Sequence, residues 1–99
     1  MDKLISIIIR TRNEERWINQ CLASVYRQKY KNIEVILVDN KSTDRTVDKA
    51  KKFGIDKIIT INKYIPGYAL NQGINESRGE YIVCLSGHCI PVNDSWLTN

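Results

Sequence analysis

The chain has 99 residues, 42% of them hydrophobic and 26% charged, enough for one domain with a single core and too few for a complete two-domain enzyme. No apolar run approaches the ~20 residues of a membrane-spanning helix. Against 11 acidic residues stand 15 Lys and Arg, a net charge of +4, and 14 of those 15 precede Tyr64. That excess reads as solvated helix faces such as Lys49, Lys51 and Lys52. No nucleic-acid partner is expected, because neither an aromatic stacking platform nor a recognition-helix pattern accompanies the charge. Three cysteines (Cys21, Cys84, Cys89) and an N-terminus without a secretory signal lead to an expectation of reduced thiols and a cytoplasmic location.

Leu4–Ile9 (LISIII) is apolar and rich in β-branched residues, which predicts a strand buried on both faces. Asn13 is placed to cap a helix, with Glu14 and Glu15 in the turn that favours negative charge. Ile18, Cys21, Leu22 and Val25 then recur at helical spacing, so this helix is expected to run to about Gln28. Ile33–Val38 (IEVILV) is a second strand, ending at Asp39. Ser42 or Thr43 is expected to cap the next helix, which buries Val47, Ala50 and Phe53 and stops at Gly54. Lys57–Ile61 is a third strand, and about Tyr68–Glu76 a weaker helix. Glu80–Leu85 is a fourth strand, within which Cys84 is expected to be buried as a small apolar thiol. Asp94 or Ser95 opens a further helix at Trp96-Leu97.

Short apolar strands alternating with helices specify right-handed β-α-β units and a parallel sheet. The expected fold class is α/β, a Rossmann-like sheet of strand order 3-2-1-4 with flanking helices. Ligands of such sheets bind beyond the carboxyl ends of the strands, where the order reverses. This rule selects Arg10–Asn13, Asp39–Ser42 and Ser86–His88.

The first of these turns, R-T-R-N-E-E, is not the G-x-G-x-x-G of dinucleotide binding, and no G-x-x-x-x-G-K-[ST] is present to cradle a triphosphate. It offers Thr11, two guanidinium groups, Asn13 and helix N–H groups expected to be free for a base or phosphates; a capped helix with exposed arginines explains the same residues. Asp39 sits where hydrophobic burial is expected to end and can accept hydrogen bonds from a ribose or from a base N–H. Asp44 is read as stabilising the next helix N-terminus. Cys84, His88 and Cys89 supply three zinc ligands at most where structural sites use four, so zinc is not expected.

Taken in order, S-I-I-I-R-T-R-N-E-E, I-E-V-I-L-V-D-N-K-S-T-D-R-T, G-Y-A-L-N-Q-G-I and R-G-E-Y-I-V-C-L resemble the N-terminal, nucleotide-sugar-binding half of a family 2 glycosyltransferase. The resemblance spans essentially the whole chain, residues 1–99 as a single donor-binding region. It implies the N-terminal half of a GT-A fold and transfer of a sugar, with inversion, from a nucleotide-diphosphate donor to an acceptor hydroxyl in polysaccharide, lipopolysaccharide or related glycan synthesis. It implies donor contacts at Thr11, Asn13 and Glu14 in the first loop and at Asp39 and Asn40 after the second strand. Gly67 and Asn71 match the donor-side loop and helix, and Gly79 the turn before the fourth strand.

Three positions depart from the family pattern. Arg10 and Arg12 replace a proline and an aromatic residue, and Leu70 replaces a basic residue. The family's D-x-D, whose second carboxylate holds a divalent cation against the donor diphosphate, is here Ser86-Gly87-His88. Ser86 can reach a ribose. His88 either ligates the metal, where imidazole suits Mn²⁺ better than Mg²⁺, or meets the phosphates as an imidazolium without a metal. No catalytic base is identified. The chain is expected to be a part-domain that holds a nucleotide but transfers no sugar alone. Its partners are then a nucleotide-sugar donor, a glycan or lipid-linked acceptor in a full enzyme that would bring it to a membrane, and a second copy through an open sheet edge or exchanged C-terminal segments.

Overall fold

The computed structural model describes residues 3–62 and 67–87. Four parallel strands form one sheet in the order β3-β2-β1-β4, as the alternation of strands and helices predicts. The strands are β1 (Ile5–Thr11), β2 (Ile33–Asp39), β3 (Lys57–Thr60) and β4 (Tyr81–Ser86), and the helices are α1 (Ile18–Tyr26), α2 (Thr46–Lys51) and α3 (Tyr68–Glu76). The predicted helix at Trp96-Leu97 and the loop residues Lys63–Pro66 lie outside the described residues.

The two central strands carry apolar residues on successive positions because both of their faces are covered. On one face Ile5, Ile7, Ile9, Val35, Leu37 and Leu85 pack with Ile18, Cys21, Leu22 and Val25 of α1 and Ala50 of α2. On the other face Ile8, Ile36 and Val38 meet Ile61, with Tyr68 and Ala69 of α3 against them. Helix α3 comes so close that a Cβ on Gly73 would lie 2.5 Å from Ile8 Cγ2.

Strand β4 is the exception. Its residues Ile82 and Cys84 lie beside Ser6 and Ile8 on the α3 face, but α3 packs over β1 and β2 and leaves them exposed. The burial expected of Cys84 is therefore corrected: an edge strand has cover on one face only, and the thiol faces the open side.

A buried polar latch closes the amino ends of the strands, opposite their carboxyl ends. Glu34 accepts hydrogen bonds from the Ser6 hydroxyl (2.7 Å), the Arg78 backbone N–H (2.9 Å) and Arg78 Nε (2.9 Å). Ser6 in turn accepts the Gly79 N–H at 2.8 Å. The glycine matched by resemblance to the turn before β4 has a local reason: a Cβ there would stand 2.6 Å from the Ser6 backbone nitrogen.

Candidate functional site

The register pairs Thr11 with Asp39 at the carboxyl ends of β1 and β2. Backbone bonds continue the join past the strands, from Asn40 N–H to Thr11 carbonyl at 2.9 Å and from Ile61 N–H to Asp39 carbonyl at 2.8 Å. Asp39 is consequently inside the sheet end, 2% exposed, and not at the limit of burial as the sequence suggests. A buried carboxylate needs partners. Its Oδ1 accepts the hydroxyls of Thr11 (2.5 Å) and Ser42 (2.6 Å), and its Oδ2 accepts the Ser42 N–H (2.9 Å).

The first loop is stapled to the residues leading into α2. The N–H of Asn13 donates to Ser42 Oγ (2.8 Å), that of Glu14 to Thr46 Oγ1 (2.8 Å), and that of Glu15 to Asp44 Oδ2 (3.0 Å). In the reverse direction the Thr43 N–H donates to Asn13 Oδ1 at 2.7 Å. Arg12 Nη1 reaches the Asn40 carbonyl at 3.5 Å.

Three expectations change here. Asn13 does not cap α1: it takes a left-handed φ of 54°, which asparagine tolerates, and α1 begins at Ile18 after Trp17 with no side-chain cap. The N–H groups expected to be free for phosphate are instead occupied by Ser42, Thr46 and Asp44. Ser42 and Thr43 likewise leave the capping of α2 to others, since both serve the first loop. Asp44 does stabilise the start of α2, accepting the Thr46 N–H (3.0 Å) and hydroxyl. Burial would raise the Asp44 pKa, but the bonds from Thr46 and from the Glu15 N–H hold it below the ordinary aspartate value.

Strand β4 brings Ser86-Gly87 to the same end. Ser86 pairs with Arg10, and Gly87 donates its N–H to the Arg10 carbonyl at 2.9 Å. Gly87 is buried against the first loop: a Cβ there would lie 2.7 Å from Thr11 Cγ2 and 2.9 Å from Glu14 Cγ. Thr11, Asn13, Glu14, Asp39, Asn40 and Ser86 therefore gather around one sheet end.

Gly67 and Asn71 belong to α3. Gly67 has φ 81° at the helix start, its carbonyl accepts the Asn71 N–H at 3.0 Å, and space is open around it. Among the described residues no hydrogen bond ties these two to the loop cluster. His88, the expected metal or phosphate contact, lies outside the described residues, as does Cys89. Among the described residues no three His, Cys, Asp or Glu side chains converge on a metal position. Although Cys84 is exposed, partial desolvation raises the pKa of its thiol and the charge of Arg10 pulls it back in part.

Three residues of the cluster have roles that local sequence does not signal: Ser42 bonds Asp39 and Asn13 rather than capping α2, Thr46 accepts the Glu14 N–H, and Gly87 is the contact between β4 and the first loop.

Residues 6–99 match the family model for glycosyl transferase family 2. The chain belongs to that family. A curated family 2 relative from Methanococcus voltae, a dolichyl N-acetyl-α-D-glucosaminyl phosphate 3-β-D-2,3-diacetamido-2,3-dideoxy-β-D-glucuronosyltransferase, is 39% identical over 91% of this chain and 30% of its own length. The Escherichia coli UDP-Glc:α-D-GlcNAc-diphosphoundecaprenol β-1,3-glucosyltransferase WfaP is 37% identical over 97% of this chain and 38% of its own. The chain thus spans well under half the length of these glycosyltransferases. Among solved structures, S. aureus TarS in complex with UDP superposes with a TM-score of 0.86 at 25% identity, covering 95% of this chain and 30% of TarS. The mannosyltransferase PcManGT from Pyrobaculum calidifontis, in complex with GDP-Man and Mn²⁺, gives a TM-score of 0.83 at 23% identity over 91% of this chain and 29% of its own, a likeness of fold. Sheet order and neighbours together place this family 2 chain in the GT-A fold.

Proposed function

We propose that this chain forms the nucleotide-binding part of an inverting glycosyltransferase that moves a sugar from a nucleoside-diphosphate donor to an acceptor hydroxyl. The observation that carries the reading is the sheet end itself: three loops meet where the strand order reverses, and each brings residues that match the family's donor contacts. In this reading Asp39 and Thr11 meet the base. Asn13, Glu14, Asn40 and Ser86 line the ribose and phosphate side, and Gly67 and Asn71 approach from α3. Burial restricts Asp39 to a single contact, because three acceptor positions of its carboxylate are already filled. The acceptor would be a glycan or a lipid-linked sugar, as the activities of the Methanococcus voltae and Escherichia coli relatives suggest, and a lipid-linked acceptor would bring a cytoplasmic enzyme to the membrane.

The residues after β4 do not fit a D-x-D metal site. Ser86 and Gly87 bring no carboxylate, and hard Mg²⁺ is poorly served by an imidazole donor. His88 would hold a softer ion such as Mn²⁺ or, protonated, meet the diphosphate directly. Calorimetric titration with UDP, GDP, CDP and dTDP, each with and without Mn²⁺, tests the reading. We expect at least one to bind and His88→Ala to weaken it. Binding of none would refute the proposal.

A second reading is favoured by β4. Among the described residues its outer edge pairs with no other strand, and exposed Ile82 and Cys84 suit pairing with another copy. In that case the chain acts as a self-associating nucleotide-sugar-binding module without turnover, and acceptor-dependent sugar transfer by the 99-residue chain would contradict it.

A further inference from the structure

We propose that Ser42 is a positioning residue that fixes the direction of the remaining acceptor position on Asp39, and thereby selects among nucleobases. The inference rests on the nucleotide reading of this site. Ser42 stands at a junction of three bonds: its hydroxyl donates to Asp39 Oδ1 (2.6 Å), its N–H donates to Asp39 Oδ2 (2.9 Å), and its Oγ accepts the Asn13 N–H (2.8 Å). The first two bonds grip both oxygens of one carboxylate. A carboxylate turns readily about its last torsion, and two bonds from one residue, with Thr11 Oγ1 at 2.5 Å from Oδ1, stop that rotation. The third bond holds Asn13 in its left-handed turn, with φ at 54°, and so locks the first loop to the same point.

Counting acceptors gives the consequence. A carboxylate offers about four hydrogen-bonding positions. Two donors occupy Oδ1 and one occupies Oδ2, so one direction on Oδ2 is left. At 2% exposure Asp39 can be met only edge-on. A fixed, single acceptor suits a base with an N–H in its ring, such as uracil, thymine or guanine. Cytosine presents a ring acceptor at the corresponding position and keeps its amino donors one atom away, where a carboxylate held still does not point. Without the Ser42 hydroxyl, the Thr11 hydroxyl and the backbone N–H of residue 42 still hold the carboxylate, but a second acceptor position opens on Oδ1 that the amino group can meet, and discrimination between the two kinds of base falls.

The test compares UDP and CDP binding to the wild-type chain, Ser42→Ala and Ser42→Thr, with amide hydrogen exchange at Asn13 followed in each. Wild type is expected to favour UDP by about tenfold or more, the worth of one hydrogen bond to a charged group. In Ser42→Ala the ratio should fall to about threefold or less and Asn13 should lose protection. Ser42→Thr, which restores the hydroxyl, should return both. A structural role alone would weaken UDP and CDP equally and keep their ratio, and that result overturns the proposal. So does unchanged Asn13 exchange in Ser42→Ala. If wild type binds neither UDP nor CDP, the base-selecting role is overturned, and the nucleotide reading itself falls only if GDP and dTDP also fail to bind.

Discussion

Asp39 and Glu34 are two buried carboxylates at opposite ends of one strand, and each is held by a different logic. Glu34 is satisfied by Ser6 and Arg78, which tie β4 to β1 and β2 at the amino end of the sheet. Burial would raise its pKa, but the Arg78 N–H, the Ser6 hydroxyl and the Arg78 guanidinium outweigh that and hold it below the ordinary glutamate value. A depressed folded pKa contributes stability that is present above the ordinary range and lost as pH falls through the folded value. Denaturant midpoints measured from pH 7 down to pH 3 should therefore decline, and Glu34→Gln should flatten part of that decline while costing about 1.5–3 kcal/mol at neutral pH. Lys41 is a separate case. It holds φ at 47° without the short polar side chain that helps Asn13 do so, and Lys41→Gly should raise stability by about 1 kcal/mol in the same measurement.

At the scale of the elements, hydrophobic pattern was a good guide wherever burial decides the structure. The order of seven elements and the span of α3 follow from apolar spacing, whereas α2 ends at Lys51, before the expected stop at Gly54, which holds φ 69° after the turn that follows the helix. The pattern gave less at α1. Asn13 and two glutamates look like a helix start, yet their N–H groups are claimed by Ser42, Thr46 and Asp44, partners about thirty positions away in sequence that local propensity does not register. Asp39 was misjudged for the same reason: its burial comes from Thr11 on a neighbouring strand. Gly73 carries a competition that magnitudes settle. Alanine would gain about 1 kcal/mol of helix propensity. Its Cβ would lie 2.5 Å from Ile8 Cγ2 in a packed layer, and overpacking of that kind costs about 1–3 kcal/mol. Gly73→Ala should thus be destabilising on balance in denaturant unfolding. Where α1 ends, Tyr26 stacks on Phe53 with centroids 6.2 Å apart, and its buried hydroxyl has no hydrogen-bond partner among the described residues. Burial, assisted by the charge of Asp56, pushes that hydroxyl up to about 12. Tyr26→Phe removes an unsatisfied group and should be stabilising by about 1 kcal/mol in thermal unfolding.

For the whole molecule, the sheet has a covered centre and an open side at β4. Tyr81 at 56% exposure and Ile82 at 39% share that strand with the site's third loop, so edge and site are joined. Self-association through β4 should appear as a concentration-dependent rise in mass by light scattering, and Ile82→Lys should suppress it. The central claim concerns the other end of the strands: one nucleotide meets three loops that the strand order has brought together. Backbone NMR of the chain during titration with UDP and GDP tests it most directly. Shifts concentrated at Thr11–Glu14, Asp39–Ser42 and Ser86–Gly87 are predicted. Shifts confined to the amino ends of the strands, around Glu34 and Arg78, or none at saturating nucleotide, would contradict it.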